Sequence, residues 1–235
     1  MKLILTNDDG IDAPGLEALR RAVMDLGTVI LVAPEVEQSG VGHQVTDSVP
    51  LRVDEADPVR VIVAGTPVDC ARVALRRIAP DADWLISGIN RGANLGIDTF
   101  TSGTVGAARE AAALGCRAMA ISQYVAKGAE VDWEVTRHHA AWVIRALMET
   151  DLAPGSFWNV NLPHPQTLGD LPNLCFRDLD PSPHRFTYRR EGDVLIYEGD
   201  FHGRPRLSGR DIDCCMSGMV SVTRMYIGTA ESRCP

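Results

Sequence analysis

The chain has 235 residues, of which 45% are hydrophobic and 23% are charged, and its formal net charge at pH 7 is -8. This length suits one large α/β domain or a domain with an extension. The acidic balance gives no basic surface for a nucleic-acid polymer or an anionic membrane, so a small anionic substrate would need a local source of positive potential. The sequence shows neither a signal peptide nor an apolar run long enough to span a membrane, and we therefore expect a cytoplasmic protein.

Short apolar runs alternate with amphipathic segments up to Pro163, which predicts alternating strands and helices. The expected fold is a three-layer, doubly wound α/β core with a mostly parallel, Rossmann-like sheet. In the second helix Thr66 is the expected cap, with Pro67 in the first turn and Asp69 three residues after the cap. Strands are predicted at 2–6, 28–33, 59–64, 84–87, 117–122 and 157–161, and helices at 14–25, 67–78, 104–114 and 132–150.

After Pro163 the content of proline, glycine and charge rises, and helical periodicity is lost up to about residue 210. The segments 186–190 and 194–198 flank a turn of Glu191, Gly192 and Asp193, which predicts a β-hairpin. A final strand at 219–225 is expected to return to the body of the protein. We therefore divide one domain into a catalytic core, residues 1–163, and an extension, residues 164–235, expected to serve in oligomerisation.

The six cysteines are scattered and include no C-x-x-C pair, so zinc-ligand spacing is absent. Cys214 and Cys215 are neighbours, which leaves a strained vicinal disulfide as an alternative. Reduced thiols are the expectation for a cytoplasmic protein.

The segment from Asn7 to Gly10 follows the first predicted strand and places two carboxylates side by side. Asp8 and Asp9 would point to opposite faces in a regular strand, but Gly10 allows the backbone to leave that geometry. Two convergent carboxylates repel each other unless a cation or a proton lies between them, and a hard divalent metal ion satisfies that need. A helix cap is the alternative reading, but a cap needs only one carboxylate.

Three further polar segments follow predicted strands, at 34–44, 87–96 and 99–104. Loops after parallel strands lie at the same edge of a sheet, so these segments can meet the two aspartates. Ser102, Gly103 and Thr104 open a predicted helix, and free amides with two hydroxyls at a helix start suit a phosphate. Ser and Thr also cap helices everywhere, so this turn gains weight only beside the carboxylate pair.

Six segments of the chain together form a recognisable set of motifs, namely TNDDGIDAPGL at 6–16, VAPEVEQSG at 32–40, GTPVDC at 65–70, SGINRGANLG at 87–96, SGTVGAA at 102–108 and, more weakly, GMVSVT at 218–223. With these segments the sequence closely resembles the SurE family of stationary-phase survival proteins, which are metal-dependent 5'-nucleotidases and phosphatases. The resemblance runs in order over nearly the whole chain, and its first five motifs are together highly specific.

The resemblance implies one divalent metal ion per subunit, Mg2+ or Mn2+, and phosphate contacts from other residues in the same segments. An all-oxygen ligand set independently fits a hard cation rather than zinc. The implied metal ligands are Asp8, Asp9, Ser39 and Asn90. The implied substrate or phosphate contacts are Asn7, Asn94, Ser102, Gly103 and Thr104.

The expected reaction is hydrolysis of nucleoside 5'-monophosphates by a hydrolase of the acid-phosphatase type, with 3'-nucleotides as a further candidate substrate. Asp8 is expected to orient or deprotonate the attacking water, with Asp9 mainly a ligand. His43 is a candidate proton donor to the leaving group, although a lone loop histidine is usually solvated. The resemblance also implies a homodimer or a dimer of dimers.

The segment from Asn7 to Gly10 argues against two other enzyme classes. A nucleotide-cofactor oxidoreductase would carry a G-x-G-x-x-G turn after its first strand, where this chain has two aspartates. A haloacid-dehalogenase-like phosphatase has aspartates two positions apart, whereas Asp8 and Asp9 are adjacent. A non-catalytic nucleotide-binding or regulatory module on the same fold is the remaining alternative.

Overall fold

A computed structural model of the protein describes residues 1–164, 168–169, 171–183 and 187–227. The strands in these ranges are β1 (Lys2–Thr6), β2 (Thr28–Pro34), β3 (Val53–Asp57), β4 (Arg60–Val63), β5 (Trp84–Arg91), β6 (Arg117–Gln123), β7 (Ser156–Leu162), β8 (Leu174–Phe176), β9 (Tyr188–Glu191), β10 (Val194–Tyr197) and β11 (Val220–Tyr226). The α-helices are α1 (Pro14–Val23), α2 (Pro67–Val73), α3 (Gly103–Ala113), α4 (Trp133–Met148) and α5 (Asp211–Met216).

Nine strands form a single sheet in the order β3-β4-β2-β1-β5-β6-β7-β11-β8. The six central strands from β4 to β7 run parallel, while β3 is antiparallel to β4 and β11 is antiparallel to β7. Taken in chain order, those six strands have the 3-2-1-4-5-6 arrangement of a doubly wound sheet, in which ligands bind where the order reverses. The predicted α/β fold is confirmed, and the reversal lies between β1 and β5.

Helices cover both faces of the sheet and make the three layers. On one face α1 and α4 pack over β1, β5, β6 and β7, with Leu19 and Trp84 fully buried in that core. On the other face α2 and α3 enclose a second core that includes Leu85 and Phe157. Apolar residues on both faces of the central strands explain why those strands appear in the sequence as nearly continuous hydrophobic runs.

The start of α2 has the predicted capping box. The amide of Asp69 donates to the Thr66 hydroxyl at 3.2 Å, and the Asp69 carboxylate accepts from the Thr66 amide at 2.9 Å. Two helix-end donors are thereby satisfied, and Pro67 costs no hydrogen bond at the first helical position. The helix then continues as a wider π turn over Ala74–Ile78, which accounts for the predicted end near residue 78.

Some elements depart from the predictions. The short strands β3 and β8 and the six-residue helix α5 were not predicted, because they are too short to show a period of their own. Gly88 to Arg91 was predicted as loop but continues β5, whose register against β6 shifts between Ser87 and Asn90.

The extension contributes to both sheets. The predicted hairpin is confirmed by β9 and β10, which pair antiparallel; residue 186 lies outside the described residues. The predicted last strand is confirmed by β11, which pairs antiparallel with β7 and parallel with β8. The boundary between residues 1–163 and 164–235 stays a prediction.

Two further expectations concern the described residues. No helix in these ranges is long and apolar enough to cross a membrane. Cys214 and Cys215 are both free thiols, as are the other three cysteines in the described residues, while Cys234 lies outside them.

Candidate active site

The turn after β1 brings the two aspartates to the switch point of the sheet. The Asn7 side chain bridges the turn, with its amide donating to the Gly10 carbonyl at 2.8 Å and its oxygen accepting from the Gly10 amide at 3.2 Å. Gly10 has φ +101°, a conformation that side chains with a Cβ rarely adopt. The expected break in strand geometry is therefore present, and Asn7 stabilises it.

Asp8 is held by the start of α3. Its Oδ1 accepts from the Thr104 hydroxyl at 2.5 Å and its Oδ2 from the Thr104 amide at 3.2 Å. A Cβ added at Gly103 would lie 2.9 Å from the Asp8 Cβ, so this approach requires a glycine. The side chain is 5% exposed, and burial raises its pKa while the Thr104 bonds oppose that rise.

Asp9 lies next to this buried carboxylate, and its pKa is raised as well. Burial, then repulsion from Asp8, raises the pKa of Asp9 to about 6, against the opposing effect of the Arg91 backbone amide. Glu37 adds further negative charge that raises both pKa values. Three carboxylates in one place create a demand for positive charge.

An open cleft of about 370 Å3 at this edge is lined by six residues predicted from sequence, namely Asp8, Asp9, Ser39, Asn90, Asn94 and Ser102. The structure therefore brings together all four predicted metal ligands and two predicted phosphate contacts. The cleft is also lined by Glu37, Gly40, Arg91 and Thr101. A larger cavity of about 610 Å3 near Trp158 and Arg224 contains none of the predicted site residues.

Ser39 enters the cleft on the segment after β2. Its hydroxyl donates to Glu37 Oε1 at 2.5 Å, which leaves the oxygen lone pairs available to a cation. The segment is attached to the turn by the amide of Gln38, which donates to the Asp8 carbonyl at 2.7 Å. Glu37 therefore sets the direction of the Ser39 hydroxyl.

Each of the two asparagines is oriented by a hydrogen bond that one of its two side-chain N–H groups donates. The Asn90 nitrogen donates to the Gly92 carbonyl at 2.7 Å, and that of Asn94 donates to the Ser122 hydroxyl at 2.8 Å. Asn159 and Asn161 of β7 also hold Asn94, since both side chains donate to its carbonyl at 3.0 Å. This support fixes the loop after β5 against the sheet.

Sequence reasoning missed Glu37 and Arg91. Arg91 ends β5 and is an exposed cation in an acidic cleft, placed to meet an anionic substrate. Both residues lie within segments already recognised by motif, and the available signal was a charged side chain close to Ser39 in one segment and to Asn90 in the other. Neither residue was singled out because the sequence does not show which loop side chains converge.

Four predicted site residues do not line the cleft. Asn7, Gly103 and Thr104 are buried and act on the turn or on Asp8, so the Thr104 donors expected for a phosphate are used by a carboxylate. Ser102, which does line the cleft, is the cap of α3, and its hydroxyl accepts from the Val105 amide at 3.1 Å. His43 faces Glu110, with Nε2 2.8 Å from Oε2.

The donor set fits a hard divalent cation. Carboxylate, hydroxyl and amide oxygens are the ligands that Mg2+ and Mn2+ prefer. Burial is the main cause that raises the pKa values of Asp8 and Asp9, and repulsion from neighbouring carboxylates adds to it. Throughout the described ranges no three His, Cys, Asp or Glu side chains converge as a ligand group. The candidate set is therefore two carboxylates completed by Ser39 and Asn90.

Fold and cleft together define an α/β protein of Rossmann-like topology with an acidic, oxygen-lined site at the switch point of its sheet. A family model described as Survival protein SurE matches residues 3–175. The chain belongs to the SurE family, as its motifs indicate.

Individual relatives agree over nearly the full length. A protein from Synechocystis sp. is 44% identical over 229 residues, which cover 97% of this chain and 100% of that protein. One from Brucella canis named 5'-nucleotidase SurE is 38% identical over 237 residues, covering 97% and 92%. The crystal structure of SurE protein from Aquifex aeolicus matches with a TM-score of 0.85 at 28% identity, over 98% of this chain and 95% of that chain.

Proposed function

We propose that this protein is a metal-dependent phosphomonoesterase that hydrolyses nucleoside 5'-monophosphates, and also 3'-nucleotides, to nucleoside and phosphate. The supporting relative from Brucella canis is named a 5'-nucleotidase. The single observation that carries the proposal is the convergence of Asp8, Asp9, Ser39 and Asn90 on one open cleft, from two loops and the end of β5.

In this proposal those four residues hold one divalent ion through oxygen atoms. When bound, a divalent cation supplies positive charge that stabilises the developing charge on phosphoryl oxygens and acidifies water. A carboxyl group binds a cation only in its ionised form. Because the pKa values of Asp8 and Asp9 are raised, binding of the cation is coupled to release of protons from these groups.

The remaining groups of the cleft act on the substrate and the water. Asp8, fixed in one orientation by Thr104, orients the attacking water and takes its proton as the phosphorus–ester oxygen bond breaks. In this proposal Arg91 and the second side-chain N–H of Asn94 donate to phosphoryl oxygens, and Ser102 borders the same space. The proton on the departing nucleoside oxygen comes from solvent or from a group in the cleft.

Phosphate release from a panel of 5'- and 3'-nucleoside monophosphates and p-nitrophenyl phosphate tests this function, with Mn2+, Mg2+ or EDTA. We expect turnover with a divalent ion, loss with EDTA and loss in Asp8→Asn. Activity that survives EDTA or Asp8→Asn contradicts the metal mechanism. Nucleotide binding without turnover in any metal favours the non-catalytic module.

The proposal includes a homodimer or a dimer of dimers. The β9–β10 hairpin stands apart from the main sheet and exposes more than half of the Tyr188, Val194, Leu195 and Tyr197 side chains. Exposed apolar groups clustered on one hairpin are typical of an association surface. Light scattering on the full chain, compared with a variant carrying Val194→Ser and Leu195→Ser, tests this expectation.

A further inference from the structure

The segment that carries Ser39 is fastened to the two helices behind the cleft. Beyond Ser39, the Gly42 amide donates to the Thr101 carbonyl at 2.9 Å, next to the start of α3. Further along, the amide and hydroxyl of Thr46 donate to the Asp69 carboxylate of α2 at 2.9 and 2.7 Å. The position of Ser39 therefore depends on how firmly this segment lies on α2 and α3.

One side chain connects the segment to the interior of α3. His43 Nε2 lies 2.8 Å from Glu110 Oε2, while Arg72 of α2 donates to Glu110 Oε1 at 2.6 Å. The Glu110 side chain is only 7% exposed. The hydrogen bond from His43 lowers the pKa of Glu110 against the opposing effect of burial. Loss of His43 would leave one oxygen of a buried carboxylate without its partner.

The imidazole of His43 does not border the cleft. Nε2 is engaged by Glu110, and Nδ1 is buried with no hydrogen-bond partner among the described residues. Ser39, by contrast, lies in the lining of the cleft. A group in this position acts on the reaction through the segment that carries it.

The backbone beside His43 lies directly on α3. A Cβ added at Gly106 would lie 2.4 Å from the Gly42 carbonyl oxygen, so the segment and the helix are in close contact. We propose that His43 is a positioning residue, which fixes the Ser39 segment on α3 through Glu110 and thereby sets the affinity of the cleft for its divalent cation. This inference rests on the proposed function.

Mn2+ binding to the full chain, measured by calorimetry, tests the inference with three variants. His43→Ala removes the contact, His43→Gln retains a donor at the place of Nε2 without proton transfer, and His138→Ala on α4 is the matched control. We expect Mn2+ affinity to fall about tenfold in His43→Ala, the lower end of the roughly 10- to 100-fold range for groups that support metal ligands. His43→Gln should recover most of this loss, and His138→Ala should bind as wild type does.

Two additional readouts separate positioning from catalysis. Hydrogen exchange at the Gly42 amide should accelerate in His43→Ala and return toward the wild-type rate in His43→Gln. At saturating Mn2+, kcat should stay near wild type in both variants. Equal Mn2+ affinity and equal exchange in wild type and His43→Ala would overturn the inference, as would a kcat lost in both variants. Wild-type protein that binds no Mn2+ would overturn the proposed function together with this inference, so the two failures are distinguishable.

Discussion

The hydrogen bond from the buried Thr104 hydroxyl fixes the Asp8 carboxylate, which lines the cleft, and it can be removed with little change in side-chain volume. Thr104→Val replaces the hydroxyl that lies 2.5 Å from Asp8 Oδ1 with a methyl group, while the amide contact at 3.2 Å remains. Thr104 is fully buried, so water cannot replace the lost donor. Thr104→Ser is the matched control because it keeps the hydroxyl.

The expected loss follows from the charge of the acceptor. A hydrogen bond to an ionised group contributes about 1.5–3 kcal/mol. If the ionised, oriented Asp8 carboxylate is needed in the transition state, this energy corresponds to about a 10- to 150-fold fall in kcat/KM, at about 1.36 kcal/mol per factor of ten. Thr104→Ser loses one methyl group and should cost about 1 kcal/mol of unfolding free energy or less.

Stability measurements give the sign of the effect independently of catalysis. The hydroxyl stabilises the ionised carboxylate, so Thr104→Val should raise the already elevated pKa of Asp8 further. The difference in unfolding free energy between Thr104→Val and wild type should therefore be largest near pH 7 and shrink toward pH 4. Urea unfolding at both pH values, with phosphate-release kinetics, measures this. Thr104→Val and Thr104→Ser behaving alike in both assays would refute the reasoning.

Three further expectations concern the same cleft. Burial and then repulsion from Asp8 raise the pKa of Asp9 to about 6, above its ordinary value of 3.8, so the metal-free protein should lose stability as pH rises from about 4 to about 6. Mn2+ affinity should rise over the same interval, because the ion binds the ionised carboxylate. Calorimetry at constant ionic strength that shows no such slope would count against the raised pKa of Asp9. Mn2+ at 100 times its Kd should add about 2.7 kcal/mol of stability, seen as a rise in Tm of roughly 5–11 °C that is absent in Asp8→Asn. Gly103→Ala puts a Cβ 2.9 Å from the Asp8 Cβ and 3.0 Å from Pro67 Cγ, so it should destabilise the protein by about 1–3 kcal/mol and weaken Mn2+ binding. Gly169→Ala is the control, because its added Cβ has no described atom within 4 Å, and it should change neither property. Thermal melts and Mn2+ titrations measure both effects.

Much of the fold could be predicted because its signals are local. The apolar run of β1 and the capping box at Thr66 reflect the pairing and end effects of single elements, and both are confirmed. The strands β3 and β8 could not be predicted, because their few residues pair with neighbours that only the folded chain supplies. The same limit hid the continuation of β5 to Arg91, whose glycine- and asparagine-rich sequence is typical of a loop.

The predicted site divides along the same line. The motif after the first strand indicated Asp8 and Asp9, the family resemblance added Ser39 and Asn90, and the four residues line one cleft in the structure. The distribution of hydrogen bonds among them was not accessible from the sequence.

The sequence by itself determined which oxygen-bearing residues lie at or just after the ends of the central strands, since strand ends and helix starts depend on the local residue types. Only the tertiary structure decided how these groups divide their hydrogen bonds. Thr104 donates both its hydroxyl and its amide hydrogen bonds to Asp8, and the Asn7 side chain donates to the Gly10 carbonyl, because each is buried beside an acceptor that needs a partner. Packing of α3 against the turn after β1 is a contact across 96 positions of sequence, and it gives the carboxylate pair a fixed member, Asp8, and a more exposed one, Asp9.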